Sequence, residues 1–381
     1  MRINKNKYSK NQLLLIPECD ADLPLALWES YEMAKRAKMR TEDEHKFEME
    51  ARDNVDQLAF DVMVRIYTPS RGKAFITHNP VIREIFAAPF RDRVIHHLLY
   101  ALNGFWWDNH FIYDSYSCRD GKGTLLGIQR MQKFMEKASL AGSRPAYVLK
   151  GDISGYFMSL NREALFQRIL WGLERQYPLH GWEYELCRYL WREIIFDDPV
   201  FHVRMAGGKK EWEPLPNNKS LFHQPAGQGI VIGNLTSQLL SNINLDPFDR
   251  FMKFDLGFEY YGRYVDDFFI IVSEEQFEYA KLMFEQVVPE FLEGMGHKMH
   301  PNKIYIQPIT NGAPFLGAKV YRDHLIPGKR FQHNFYRAAQ EYMNGMRDDE
   351  SITSYLGMGA HFSAKKLNQK VFESVGWEYK F

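Results

Sequence analysis

Hydrophobic and polar positions along the chain follow two different periods, which predicts a mixture of helices and strands. Residues 28 to 66 contain no glycine or proline and are rich in Ala, Glu, Lys, Arg and Met, so we expect one or two helices there. A turn at TPSRG, residues 68 to 72, ends this segment. Over residues 81 to 102, an extended basic stretch is followed by an apolar-periodic helix that begins near Arg91.

The strand patterns come later in the chain. YVLK, from residue 147, predicts a short strand that is followed by GDISGYF and by a helix from about Arg162. FEYYGRYVDDFFIIV, at 258 to 272, predicts two strands joined by a tight turn at Asp266 and Asp267. IYIQ at 304 to 307 and FLGAKVY at 315 to 321 predict two more strands. This order of elements predicts an α+β fold with antiparallel hairpins.

Length and composition limit the class of protein. With 381 residues, 45% of them hydrophobic, the chain can bury a large core in one compound fold of two or three subdomains. Apolar runs such as residues 268 to 272 are far shorter than the roughly 20 residues that cross a bilayer. The first residues lack the pattern of a secretory signal. We therefore expect a soluble, cytoplasmic protein without a membrane segment.

Cysteine and charge content add two constraints. Cys19, Cys118 and Cys187 are widely spaced and form no CxxC pair, which indicates neither a disulfide framework nor a zinc site. Lys plus Arg and Asp plus Glu both number 48, whereas proteins that bind nucleic acid usually have a basic excess. Any phosphate-binding surface must therefore come from segregated charge or from a basic partner.

Three carboxylates are the strongest candidates for chemistry. Asp152 lies just past the end of one predicted strand, and Asp266 and Asp267 lie in the turn of the predicted hairpin. If these strands are neighbours, the carboxylates meet at one edge of a sheet and offer the oxygen ligands that Mg²⁺ prefers. Two such ions roughly 4 Å apart would support nucleotidyl transfer. The alternative is that Asp-Asp is ordinary turn chemistry and Asp152 an ordinary strand-end residue.

Seven motifs in order resemble those of reverse transcriptases. YVDD at 264 to 267 resembles the Tyr-x-Asp-Asp motif of that family, and DISGYF at 152 to 157 resembles its first palm motif. The other five motifs, which span about residues 80 to 322, are RDRVIHH at 91 to 97, SYSCRDGKGT at 115 to 124, GIVIGNLTSQLLSN at 229 to 242, HPNK at 300 to 303 and FLG at 315 to 317.

The resemblance implies a right-hand polymerase with fingers, a ferredoxin-like palm and a short helical thumb. The implied divisions are an N-terminal helical extension over 1–80, fingers over 81–146, a palm over 147–322 with a fingers insertion at about 165–228, and a thumb over 323–381. NFYRAAQEYMNGM at 334 to 346 and SITSYLGMGAHFSAKKL at 351 to 367 are then the thumb helices.

The resemblance also implies roles for individual residues. The catalytic residues would be Asp152, Asp266 and Asp267, which together with Ile153 would hold two Mg²⁺ ions, with Mn²⁺ as the alternative metal. Residues that would bind the dNTP are Arg83, Arg91, Phe157 as steric gate, Tyr156 as its alternative, Ile232, Gly233 and Lys303. Residues that would contact template or primer are Arg119, Lys122, Ser237, Gln238, Tyr264, Phe315, Leu316 and Gly317. For the basic residues the alternative is a solvated surface charge, and for Phe157 it is core packing.

IGNLTSQ, at 232 to 238, bears on the subtype. Most reverse transcriptases carry Gln before the Gly and end this motif in Ser-Pro, whereas this chain has Ile232 and Gln238. The pattern resembles the enzymes of diversity-generating retroelements, which copy a structured RNA into cDNA with frequent errors at adenine. Defence-associated reverse transcriptases that use their own non-coding RNA are the alternative, as are a DNA-templated or template-free polymerase and an inactive RNA-binding scaffold. The expected partners are an RNA template, cDNA, dNTPs, and a basic accessory protein or a second copy of the chain.

Overall fold

The computed structural model describes residues 2–3, 15–36, 41–78, 81–177, 181–346 and 349–376, and its fold is α+β with mostly antiparallel strand pairing. The helices are α1 (Leu23–Lys35), α2 (Glu42–Met49), α3 (Ala51–Met63), α4 (Phe90–His110), α5 (Thr124–Ala138), α6 (Tyr156–Ser159), α7 (Arg162–Gln176), α8 (Trp182–Phe196), α9 (Leu235–Arg250), α10 (Glu274–Leu282), α11 (Val288–Gly294), α12 (Lys329–Met343), α13 (Asp349–Gly359) and α14 (Lys365–Ser374). The strands are β1 (Arg2–Ile3), β2 (Leu15–Ile16), β3 (Lys73–Thr77), β4 (Arg83–Ala87), β5 (Ala146–Asp152), β6 (Arg204–Met205), β7 (Tyr261–Tyr264), β8 (Asp267–Ser273), β9 (Tyr305–Pro308), β10 (Ala313–Phe315), β11 (Ala318–Val320) and β12 (Leu325–Pro327).

A four-stranded antiparallel sheet in the order β7-β8-β5-β9 forms the centre of the molecule. Helices α6 to α9 connect β5 to β7, and α10 and α11 connect β8 to β9. The first and third strands in chain order therefore lie side by side in the middle of the sheet. This connectivity is a βαββαβ unit, which brings the end of β5 next to the β7–β8 turn.

Strand β8 explains the run of apolar residues at 268 to 272. Phe268, Ile270 and Val272 pack into the larger hydrophobic core of the protein. Phe269 and Ile271 point to the other face, where they pack with α5 and the β10–β11 hairpin. A strand whose two faces are both covered does not alternate between apolar and polar residues, because every side chain is buried.

The remaining sheets flank this centre. Strand β3 pairs with β4 in the antiparallel direction and with β6 in the parallel direction. A separate sheet has the order β10-β11-β12, and β1 pairs with β2. Helices α12 to α14 share a small core of their own, which includes Phe335, Val371 and Phe372. Within the described ranges, no helix is both long enough and apolar enough to cross a membrane.

Several predicted boundaries agree with the structure and others are wrong. The helix expected from about Arg162 begins at that residue, because the Asn161 side chain accepts a hydrogen bond from Ala164 N at 2.8 Å and caps it. Three helices rather than one or two fill the N-terminal segment. The expected helix over 351–367 is two helices, α13 and α14, and the expected strand over 315–321 is a hairpin. That hairpin turns at Leu316 and Gly317, both of which have positive φ, at 48° and 84°.

Candidate catalytic centre

Strand register brings the three predicted carboxylates to one edge of the central sheet. Asp152, the last residue of β5, lies directly opposite Asp267, the first residue of β8. Asp266 lies in the two-residue turn between Tyr264 and Asp267, which are themselves paired. The prediction that both Asp266 and Asp267 lie in the turn is therefore wrong for Asp267, because strand pairing extends to that residue.

Backbone hydrogen bonds join the end of β5 to this turn. Ile153 N donates to Asp266 O at 3.1 Å, and Ser154 N donates to Lys298 O at 2.8 Å. His300 N donates to Asp152 O at 2.7 Å. None of these three bonds involves the carbonyl oxygen of Ile153, which is the residue predicted to bind metal together with the three carboxylates.

Two lysines pair with two of the carboxylates. Lys303 Nζ lies 2.8 Å from both carboxylate oxygens of Asp152. Lys150 Nζ lies 3.0 Å from Asp267 Oδ2 and 2.9 Å from Asp267 Oδ1. Asp266 has no lysine or arginine partner of this kind among the described residues, so one negative charge at this edge is not paired.

The pKa values reflect this crowding. Burial raises the pKa of Asp266 from 3.8 to about 6, and the charge of Asp152 is the next largest cause. Burial also raises the pKa of Asp267, although the charge of Lys150 opposes the change. Like charges that are held together out of water favour protonation or a bound cation.

The donor set suits a hard divalent cation. All the side-chain ligands are carboxylates, and Asp267 Oδ1 is buried and accepts no hydrogen bond of good geometry despite the nearby ammonium group. Among the described residues, no group of three or more His, Cys, Asp or Glu side chains already surrounds a metal-sized position. Asp152 and Asp267 each pair with a lysine, so a metal would have to displace these ammonium groups or share the carboxylates with them.

Two dNTP candidates precede helix α7 in the chain and differ in accessibility. Tyr156 is only 2% exposed, and its hydroxyl donates to Ser241 O at 2.7 Å in the core. Phe157 is half-buried, so only this ring is available to meet a nucleotide at the surface. Tyr156 is therefore a core residue in this structure, where its hydroxyl satisfies a buried carbonyl.

Arg83 is exposed on β4, and its charge acts on Tyr264 at the end of β7. Burial raises the pKa of the Tyr264 hydroxyl, and the nearby guanidinium of Arg83 opposes that change. Arg83 and the YVDD turn therefore lie close enough to interact electrostatically.

The loop before α9 lies against strand β4. Phe86 N donates to Ile232 O at 2.9 Å. Gly233 has φ of 129°, and a side chain there would place its Cβ 2.9 Å from Phe86 O, so only glycine fits this approach. Further along, Ser237 is buried in α9, whereas Gln238 is exposed and available for contact with a ligand.

Two of the predicted phosphate contacts are used within the protein. Arg91 donates to Asp61 Oδ2 at 2.7 Å and also bonds to Asp92, Thr68 and Ser70. Arg119 is 6% exposed, and its guanidinium bonds to Asp108 and to backbone carbonyls. Both side chains hold loops to α4, and a role in binding phosphate is not supported by this arrangement.

Lys122 and the FLG hairpin are placed differently. Lys122 is half-buried, and its Nζ donates to Tyr113 O at 3.0 Å and lies 3.2 Å from the centre of the Tyr113 ring. Phe315 is buried against Phe269, with ring centroids 4.9 Å apart, while Leu316 and Gly317 form the turn beyond it. Lys150 Nζ lies 5.6 Å from the Phe315 ring centroid, which places the base of this hairpin next to the Asp267 ion pair.

Sequence reasoning missed Lys150, Arg263 and Asp249. Lys150 lies two residues before Asp152 on the same strand, so the alternation of side chains places both on one face. That spacing could have predicted its position. Arg263 and Asp249 form a fully buried ion pair beneath the turn, with Arg263 Nε 2.6 Å from Asp249 Oδ1. The sequence signal for that pair is one charged residue, Arg263, within a strand that is otherwise rich in aromatic residues.

Comparisons with known proteins identify solved structures but no family. Neither a protein-family model nor a curated protein matches the chain. Apo telomerase from Candida tropicalis is similar at 13% identity and a TM-score of 0.47, over 81% of this chain and 58% of that chain. Telomerase from Candida tropicalis in complex with the TWJ fragment of telomeric RNA gives 12% identity and a TM-score of 0.49, over 84% and 57% respectively.

The chain thus spans less than three-fifths of the length of these telomerase chains. Likeness at this identity and TM-score decides neither fold nor function. The α+β fold follows from the chain's own strand pairing.

Proposed function

We propose that this protein is a reverse transcriptase, an RNA-directed DNA polymerase that extends a primer by two-metal nucleotidyl transfer. The observation that carries the proposal is the strand register that places Asp152 opposite Asp267, with Asp266 in the adjoining turn. Three carboxylates at the edge of a βαββαβ sheet are the chemistry that the ordered motifs predict. On this basis the central sheet is a ferredoxin-like palm, β3, β4 and α4 belong to the fingers, and α12 to α14 form the thumb.

The proposed metal site consists of Asp152, Asp266, Asp267 and Ile153. Bound Mg²⁺ would activate the primer 3′-hydroxyl and stabilise the charge on the departing pyrophosphate. Lys303, which is 53% exposed at its side chain, can leave Asp152 and meet the phosphates of a nucleotide. Arg83 would bind the same triphosphate, because a guanidinium is suited to bidentate bonds with phosphate oxygens.

Primer extension on a defined RNA template with Mg²⁺ and dNTPs tests the proposal. We expect the wild type to extend the primer and the combined Asp266→Ala and Asp267→Ala variant to lose extension. An equivalent DNA template run in parallel distinguishes a DNA-templated polymerase. No extension by the wild type, even with its native RNA and cellular partners, would favour an RNA-binding scaffold instead.

Phe157 is the proposed gate against ribonucleotides. Its ring is half-buried beside the core, and the Phe157 carbonyl accepts a hydrogen bond from Ile230 N at 3.0 Å, which fixes the backbone at this position. Phe157→Ala should increase incorporation of rNTPs relative to dNTPs. Tyr156→Phe is the matched control, since the adjacent ring is buried and should leave sugar selection unchanged.

The proposed subtype rests on Ile232 and Gln238. We propose a retroelement enzyme that copies a structured RNA and makes errors at adenine, because Ile232 cannot offer the hydrogen bonds of a Gln amide beside the nascent pair. Ile232→Gln should lower the error rate at template adenines, measured by sequencing the cDNA. Equal error rates in the two proteins would instead favour the defence-associated type, whose own non-coding RNA should then be the preferred template.

A further inference from the structure

Arg263 lies directly beneath the proposed catalytic turn. Its side chain is hydrogen-bonded to that turn and to two other segments of the chain. From the geometry we propose that Arg263 is a positioning residue, held by Asp249, that fixes the strained Val265–Asp266 turn so that the Asp266 carboxylate faces Asp152. This inference rests on the proposed polymerase function. It adds a residue that contacts neither metal nor substrate.

The first observation is the complete burial of the pair. Arg263 and Asp249 side chains are both 0% exposed, with Nε 2.6 Å from Oδ1 and Nη2 2.7 Å from Oδ2. Tyr261, on the same strand, donates its hydroxyl to Asp249 Oδ1 at 2.6 Å. Asp249 therefore accepts from both residues and holds the guanidinium in one orientation.

The second observation is what the rest of the guanidinium does. Arg263 Nη1 donates to the carbonyl of Val265, in the turn, at 2.8 Å. Nη2 donates to Ser115 Oγ at 3.2 Å, which ties the same group to the segment before α5. One side chain thus links a helix, a loop and the backbone of the turn that carries Asp266.

The third observation is the conformation of that turn. Val265 has φ of 54°, a left-handed conformation that β-branched residues avoid. A residue held there is strained and persists only where its surroundings enforce the conformation. The bond from Arg263 to the Val265 carbonyl is such an enforcing contact, because it fixes the peptide group between Val265 and Asp266.

A purely structural role explains the pair less well. Buried ion pairs can often be replaced by apolar residues of similar size without loss of stability, since desolvating two charges offsets their attraction. An arginine that also donates a hydrogen bond to a strained turn holds that turn in its conformation, which an apolar side chain cannot do. Stability and metal binding should therefore respond differently to substitution.

Arg263→Lys separates these effects. A lysine ammonium can meet Asp249, but its single nitrogen cannot also span Val265 and Ser115 as the planar guanidinium does. We expect roughly 10- to 100-fold weaker Mn²⁺ binding, the range found when residues that orient metal ligands are lost. Electron paramagnetic resonance measures Mn²⁺ binding without any turnover, and kcat for primer extension should fall while KM for dNTP stays near the wild-type value.

A second variant covers the case in which Arg263→Lys does not fold. Arg263→Met combined with Asp249→Leu and Tyr261→Phe removes the buried charges and the hydroxyl together. We expect it to fold with a Tm near that of the wild type but to lose Mn²⁺ affinity. Wild-type Mn²⁺ binding in either folded variant would overturn the proposal.

Relief of the strain provides a further test. Asn tolerates the left-handed conformation better than Val, so Arg263→Lys with Val265→Asn should regain several-fold of the lost Mn²⁺ affinity. Equal losses with and without Val265→Asn would overturn the proposal.

If Mn²⁺ affinity depends on Arg263 but the wild type extends no primer, the positioning role holds and the polymerase function fails. If Arg263→Lys extends primers as the wild type does, the positioning role fails and the polymerase function holds.

Discussion

Asp266 lies with Asp152 and Asp267 at one edge of the central sheet, and it is the carboxylate whose charge should destabilise the metal-free protein most. It lies in the turn between β7 and β8, and its pKa is raised from 3.8 to about 6, chiefly by burial and next by the charge of Asp152. Asp152 and Asp267 are each paired with a lysine. We therefore predict that Asp266→Asn, which removes the charge and keeps the shape, makes the metal-free protein more stable.

The size of this effect follows from the pKa. Each pKa unit corresponds to about 1.4 kcal/mol, so a rise from 3.8 to about 6 gives an upper value of about 3 kcal/mol. Asp266 is only half-buried, so solvent reduces both the desolvation of its charge and its repulsion by neighbouring carboxylates. We expect Asp266→Asn to raise the free energy of unfolding by about 1–2 kcal/mol at pH 7.5 in EDTA.

The pH dependence has a definite sign. Because the folded protein holds this proton more tightly than the unfolded chain does, the charge costs nothing below pH 3.8, where both states are protonated. The cost grows as pH rises from 3.8 through about 6 and is complete above that value. The advantage of Asp266→Asn should therefore be largest at pH 7.5 and smaller at pH 5.

Urea unfolding followed by circular dichroism measures this difference, with and without Mg²⁺. Asp56→Asn is the matched control, because that carboxylate is 57% exposed and only weakly paired with Arg52, at 3.9 Å. Added Mg²⁺ should stabilise the wild type more than Asp266→Asn and narrow the gap. A metal-free Asp266→Asn protein no more stable than the wild type, or a gap that does not shrink at pH 5, would refute the reasoning.

Three further predictions concern the same region. Lys303→Met should bind Mn²⁺ several-fold more tightly while extending primers more slowly, because the ammonium that pairs with Asp152 competes with the metal; unchanged binding by calorimetry would contradict this competition. Mn²⁺ affinity of the wild type should fall as pH drops through about 6, where Asp266 becomes protonated, and a flat titration between pH 5 and 8 would argue against Asp266 as a ligand. Gly233→Ala should lower the free energy of unfolding, measured by urea denaturation, by about 1–3 kcal/mol through backbone strain at φ of 129°. Gly357→Ala, in open space on α13, is the control and should be neutral or slightly stabilising in the same assay.

The sequence by itself predicted those features that depend on local pattern. The β-rich run before Asp152, the hairpin around YVDD and the helix from Arg162 follow from residues next to each other in the chain, and the structure has each of them. The sequence also indicated the three candidate carboxylates, because the residues next to them in the chain form the strands at whose ends they lie. The FLG hairpin was not predicted, since its turn depends on two consecutive residues with positive φ, only one of which is glycine.

Only the tertiary structure decided which charges act together. Arg91 and Arg119 look like Arg83 in the sequence, yet the first two are bound to aspartates and backbone carbonyls while Arg83 stays exposed. Arg263 pairs with Asp249 across two elements that no local pattern connects. The physical reason is that hydrogen bonding, desolvation and strand register depend on which distant segments of the chain pack together. These interactions determine whether a charged side chain pairs within the protein or stays exposed to bind a ligand.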